Sequence, residues 1–218
     1  MKMGKIIYSK YDKSRISSLP IAAFDGRIIV IITAGEAERA VDYLLSQPLL
    51  GVDTETRPSF RKGVTHKVAL LQVATETHCF LFRLNLIGMC KAIIRLLEDT
   101  TVPKVGLSWH DDILSLKRRG NFNPGLFIDI QNLVGKVGVE DLSLQKLYAN
   151  LFRMRIKKRE QLSNWENDVL TDQQKLYAAT DAWACIRLYK ELQRLLETKD
   201  YELKIVNYDI QENISQER

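Results

Sequence analysis

The chain has 218 residues, 45% hydrophobic and 27% charged, which is enough for one full core and short for two domains. No apolar run approaches the roughly 20 residues of a membrane span. The opening segment holds only the apolar pair Ile6-Ile7, too little for a signal peptide, so the protein is expected in the cytoplasm without a membrane partner. A net charge of +5 and a pI near 9.0 fit an anionic partner without demanding one. Cys79, Cys90 and Cys185 are odd in number and widely spaced, which argues against a disulfide framework and against zinc; each reads as a small buried hydrophobe. His66, His78 and His110 form no ligand spacing.

Residues 1–20 are polar and aperiodic and read as an arm leading into a domain over 21–200. Arg27 to Ile32 is short and β-branched, a buried strand by type. Ala37, Ala40, Val41, Leu44 and Leu45 recur at helical spacing, and Leu49-Leu50-Gly51-Val52 is a second strand running into Asp53-Thr54-Glu55-Thr56. Two further strands follow a basic loop, at Val68–Val73 and Cys79–Phe82, and Leu86 to Leu97 reads as one helix. Lys104–Leu107 is a short strand, followed by a helix through Ile113 and Leu116 to Gly120, and Phe127–Ile130 is a short apolar segment. Helices then run over Ser143–Leu151 and from Asp172 to about Thr198, the latter opened by Thr171 and Gln174 as a capping box. The polar tail 201–218 is expected to fray or dock loosely. Strands early and helices late imply an α/β layer fold with one mixed central sheet flanked by helices.

Three acidic sites stand out. Asp53 and Glu55, two apart on a strand, share a face; carboxylates so placed repel unless a cation or proton lies between them, though a solvated strand end has the same pattern. Tyr177 and Asp181, four apart, lie about one turn apart on one helix face, beside the small Ala178, Ala179 and Ala182. At Val105-Gly106-Leu107-Ser108-Trp109-His110-Asp111-Asp112 a strand breaks into a helix opening with two acids, a pattern that the helix dipole alone also favours.

Together the order Asp-x-Glu, Asp, Tyr-x-x-x-Asp resembles the tyrosine-type DEDD family of 3′→5′ exonucleases, which includes ribonuclease D, the Werner-syndrome exonuclease domain and polymerase proofreading domains. The resemblance covers about residues 25 to 196. Gly51-Val52-Asp53-Thr54-Glu55, Val68-Ala69-Leu70-Leu71-Gln72, Ser163-Asn164-Trp165 and Gln174 to Ala182 are similar to the Werner-type branch. For the middle acid, Asp112 fits the register better than Asp111, because Leu116 lies four and Gly120 eight residues further on. The histidine subtype would carry His five residues before the last acid, where this chain has Leu176.

The resemblance implies a ribonuclease H-like exonuclease fold and phosphodiester hydrolysis with two ions, Mg²⁺ or Mn²⁺. Asp53, Glu55, Asp112 and Asp181 would hold them, and Tyr177 would position water. The expected partner is a nucleic acid with a 3′ end, DNA or RNA, and the oligomeric state stays open. Thr54, Arg61, Lys62 and Trp165 are candidate substrate contacts. For the basic loop a solvated face is the rival reading, and for Trp165 structural packing. Arg153, Arg155, Lys157, Lys158 and Arg159 read as a solvated run ahead of a phosphate clamp, and Asp129 and Gln131 as structural. A catalytically silent binding module is the alternative from another class; a missing metal acid would mark it, and none is missing.

Overall fold

The computed structural model describes residues 4–206. A mixed six-stranded sheet positions everything else. Its strands are β2 (Arg27–Ile31), β3 (Leu50–Thr56), β4 (Val68–Ala74), β5 (His78–Arg83), β6 (Lys104–Gly106) and β7 (Phe127–Asp129), in the order β2-β5-β4-β3-β6-β7. β4 runs antiparallel to both its neighbours, β3 and β5; the β2–β5, β3–β6 and β6–β7 pairs are parallel. A separate two-stranded parallel sheet joins β1 (Lys5–Tyr8) to β8 (Tyr201–Lys204).

Helices cover both faces of the large sheet. On one face α1 (Ala34–Leu44) and α3 (Lys91–Glu98) present Val41, Leu44, Ile93 and Leu96 to Leu50, Val52, Leu71 and Val73. On the other lies α7 (Asp172–Thr198), whose Ala178, Ala182 and Ile186 join the cluster containing Leu70, Ala74 and Leu81. The sheet is thus the middle layer, and every residue of β4 is buried. A strand enclosed on both faces loses the apolar–polar alternation and reads as a continuous apolar run. Among the described residues no helix is long and apolar enough to cross a membrane.

Four segments depart from the sequence reading. Arg27–Ile31 is a sheet edge, with Ile31 alone fully buried, because β2 has one strand neighbour instead of two. The helix expected over Leu86–Leu97 is broken: α2 (Leu84–Ile87) ends at Gly88, whose φ of 62° a residue with a Cβ rarely adopts, and α3 restarts at Lys91. Residues expected to form a leading arm are built into the body. Ile7, Tyr11 and Ile16 are buried, Asp141 accepts from the Tyr11 amide at 2.6 Å, and Arg153 donates to the Ile6 carbonyl at 2.7 Å. Its β-strand of four residues and a 3-10 helix of six, Lys13–Ser18, are too short to show a period. Of the tail, Tyr201–Lys204 forms β8, and residues 207–218 lie outside the described ones.

Candidate active site

The strand β3 carries Asp53 and Glu55 on the face that meets α7. Gly51, two residues earlier on that face, sets the approach: a Cβ there would lie 2.1 Å from the Ala182 carbonyl oxygen, so the helix rests directly on the strand backbone. The register of α7 is pinned at its start, where the Thr171 hydroxyl accepts from the Gln174 amide at 3.2 Å and the Gln174 side chain accepts from the Thr171 amide at 3.0 Å. Counting from that cap, Tyr177, Asp181 and Cys185 fall on one stripe toward β3. Carboxylate oxygens of Asp53, Glu55 and Asp181 come within 4.8 Å of one another.

Asp112 arrives from α4 (Trp109–Lys117), beyond β6. The turn that aims it is held by Asp129, which accepts from the amides of Ser108 at 3.0 Å, Trp109 at 3.0 Å and Gln131 at 2.9 Å. Ser108 adopts a left-handed φ of 60°, a conformation that needs such support in a residue with a side chain. Asp129 therefore has the structural role its sequence context suggested. The Thr54 hydroxyl donates to Asp112 Oδ1 and the Thr54 amide to Asp53 Oδ1 at 2.9 Å, so one residue ties two acids together. Asp111 points outward and is exposed, whereas Asp112 is half-buried.

Burial is the main reason these carboxyls hold protons tightly. It pushes Asp53 well above the usual carboxylate range, with the charges of Asp181 and Asp112 adding to it. Glu55 rises to about 10 through burial and then Asp53. Asp112 rises to about 6 through burial, against the lowering effect of the Thr54 hydroxyl. Asp181 rises to about 7 through burial, offset by the Tyr177 hydroxyl and by Lys158. Tyr177 is itself raised by burial and by the neighbouring Asp181 and Glu55 charges, so its phenol is neutral near pH 7.

The donor set fits a hard divalent cation. Oxygen ligands converge, and Asp181 Oδ1 is buried with no hydrogen-bond partner. A testable consequence follows in chelator. These groups bind protons more tightly folded than unfolded, so their stabilising contribution is complete below about pH 4. It is lost as pH climbs past about 6 and 7 for Asp112 and Asp181, and toward about 10 for Glu55. The chelated protein should therefore melt lower at pH 8 than at pH 5.5; a flat or rising Tm over that window would contradict the cluster.

Asp53, Glu55 and Asp181 line a cleft of about 260 Å³, while Asp112 lies behind Thr54 and does not line it. Its far wall comprises Ser143 and Gln145, at the start of α6 (Leu144–Phe152), together with Lys157, Lys158 and Gln161. The basic run expected to be solvated is thus divided. Arg153 and Arg155 donate to the carbonyls of Ile6 and Leu19 and pin the N-terminal segment, while Lys157 and Lys158 face the cleft. Arg153 closes α6 in a left-handed conformation, with φ 55°, and the chain beyond it has no regular period, so a count of charges does not reveal this division. Arg61 and Lys62 sit exposed on the β3–β4 loop and do not line the cleft. The ends of that loop are tethered to Glu166, by Arg57 at 3.3 Å and His66 at 3.5 Å.

Trp165 is corrected as a base-stacking candidate. It is fully buried, with its ring 6.0 Å from that of Tyr177, so neither face is open to a nucleobase. Its neighbours are locked from two sides: Gln174 donates to Ser163 Oγ at 2.9 Å and to the Asn164 carbonyl at 3.2 Å, and the buried Arg83 donates to the carbonyls of Asn167 and Asp168. Trp165→Ala should cost about 3–5 kcal/mol in chemical denaturation, the range for emptying a buried aromatic site. A loss under about 1 kcal/mol, within the range of ordinary surface changes, would return the residue to the surface.

Acids from a strand and a helix, gathered over one layer of an α/β sheet and facing a part-basic cleft, form a candidate metal-binding group. Residues 28–197 match the family model for the 3′-5′ exonuclease domain, and the chain belongs to this family of metal-dependent nucleases. An Arabidopsis thaliana 3′-5′ exonuclease is 32% identical over 199 residues, covering 84% of this chain and 69% of that protein. The Mus musculus bifunctional 3′-5′ exonuclease/ATP-dependent helicase WRN is 28% identical over 191 residues, covering 83% of this chain and only 14% of its own length. The solved EXO domain of Aedes aegypti Nibbler has the same fold, with a TM-score of 0.72 at 18% identity over 88% of this chain and 93% of that one.

Proposed function

We propose that the chain is a tyrosine-type, two-metal-ion exonuclease that removes nucleoside 5′-monophosphates from the 3′ ends of DNA or RNA. The observation that carries this reading is the convergence of Asp53, Glu55 and Asp181, with Asp112 tied in through Thr54, around a buried carboxylate oxygen that has no partner. These four acids would hold Mg²⁺ or Mn²⁺. When bound, such ions supply an ionised water near neutral pH and offset charge on the phosphoryl and leaving oxygens.

The chain's own groups do the rest. The Tyr177 phenol, kept neutral, orients the attacking water by hydrogen bonding and does not act as a strong base. The first turn of α6 faces the cleft with the positive end of its dipole, and Lys157 and Lys158 add charge there, so the wall opposite the acids suits phosphates. Arg61 and Lys62 have no ion-pair partner among the described residues, and beside them Phe60 is 86% exposed. That loop tip suits a strand extending away from the cleft.

The deciding experiment incubates 5′- and 3′-labelled DNA and RNA oligomers, single- and double-stranded, with Mg²⁺ or Mn²⁺. The expected result is a descending ladder from the 5′ label and immediate mononucleotide release from the 3′ label. Oligomers that bind but stay intact with both ions would favour the catalytically silent module. Binding should also report the walls. Replacing Lys157 and Lys158 by Ala should reduce the slope of log affinity against log salt by about 1.4–1.8, near 0.7–0.9 for each phosphate no longer neutralised. The Arg61→Ala, Lys62→Ala pair tests the loop in the same way, and an unchanged slope would return either pair to the solvated surface.

A further inference from the structure

Gln72 is an anomaly that the proposed chemistry has not used. It is fully buried, and neither its Nε2 nor its Oε1 has a hydrogen-bond partner. A buried carboxamide with both ends unbonded destabilises a fold, and such groups in folded proteins ordinarily mark an ion, a water or a moving partner. Its place in the sheet identifies the partner. In the β3–β4 register Gln72 lies directly opposite Asp53. Directly opposed residues of an antiparallel pair share a face, with Cβ atoms about 4.5–5.5 Å apart. Along β4, Leu70 and Ala74 flank it on that face and join the cluster formed with α7, so its side chain lies in the layer between strand and helix that also holds Asp181. The unpartnered Asp181 Oδ1 belongs to the same layer.

We infer that Gln72 is a positioning residue for the acidic cluster: its Nε2–H donates to the Asp53 carboxylate when a divalent cation draws that carboxylate into its liganding orientation. This rests on the metal-centre reading above. In the structure the Asp53 carboxylate is engaged by the Thr54 amide at 2.9 Å and makes no bond to Gln72, whose amide is left idle. A cation that turns the carboxylate toward the other acids brings one of its oxygens within reach of the Gln72 amide. Carboxylates that hold metals are themselves usually held by such outer hydrogen bonds, and losing one typically costs 10- to 100-fold in metal affinity.

The inference makes two effects run in opposite directions. Gln72→Leu and Gln72→Met remove the unbonded amide while keeping an apolar side chain of similar length, so in EDTA both variants should melt higher than the wild type. In a Mn²⁺ titration followed by Tm, however, the concentration giving half the stabilisation should rise roughly 10- to 100-fold. A residue that merely fills space would leave that midpoint alone. Met matches the glutamine in length and carries the test if the branched Leu fails to fold. A raised midpoint with a higher EDTA melt supports the inference; an unchanged midpoint overturns it whatever the EDTA melt does. A wild-type Tm that ignores Mn²⁺ would reject the metal centre itself and this inference with it. A normal wild-type response with unchanged variant midpoints rejects the role of Gln72 alone.

Discussion

Asp112→Ala should lower the rate of 3′-end hydrolysis by roughly 10²- to 10³-fold, the scale for removing one essential charge-stabilising group, while Asp111→Ala should keep most of the activity. The two residues are adjacent in sequence, so the contrast comes wholly from the helix that carries them. Asp129 fixes the start of α4 through three amides, and from that start Asp112 meets the Thr54 hydroxyl while Asp111 faces solvent. The half-buried Asp112 also feels Asp111 as a nearby like charge. Losing Asp111 removes that repulsion and leaves the Asp112 carboxylate in place. Steady-state hydrolysis of a labelled oligomer measures both variants. The reverse ranking would mean that α4 presents the other carboxylate to the substrate.

Tyr177→Phe should cost roughly two orders of magnitude in kcat with little change in KM, as expected for a group that matters chiefly in the transition state. Only the hydroxyl is removed. The ring remains packed at 6.0 Å from Trp165, and the helix that carries Asp181 and rests on Gly51 through Ala182 is undisturbed. Stabilisation by Mn²⁺ and affinity for oligomers should therefore persist. Burial and the adjacent acids raise the phenol above its ordinary value, so the pH profile of the wild type should show no limb from Tyr177 in the neutral range. Single-turnover digestion separates this step from product release. A Phe variant that cuts at near wild-type rate would leave Tyr177 as a packed helix residue, and another group would have to place the water.

Most of the fold was legible because its signals are local. The Thr171/Gln174 capping box marked the start of α7, the 3.6-residue period marked α1 and α6, and the apolar run 68–73 marked a strand enclosed on both faces. Errors fell where an element is set by one backbone torsion or by its neighbours. Gly88 divides a helix whose hydrophobic period is continuous through it, and β2 looks like a central strand yet lies at an edge. The N-terminal segment had no period to read; it is held by side chains more than a hundred residues away, among them Arg153 and Asp141.

The sequence by itself determined the candidate site: the identities and spacings of Asp53, Glu55, Tyr177 and Asp181, since residues two apart on a strand and four apart on a helix must share a face. It also favoured Asp112 over Asp111, through the helical period. Only the tertiary structure decided how those faces meet. Gly51 lets α7 rest on β3 and brings three carboxylates within 4.8 Å, which no spacing between residues 53 and 181 encodes. The same packing turned Trp165 inward, divided the basic run 153–159 between the N-terminal segment and the cleft, and placed Gln72 beside Asp53. A side chain's type is written in the chain, but whether it meets solvent, a carboxylate or a helix depends on which distant surface the fold lays against it.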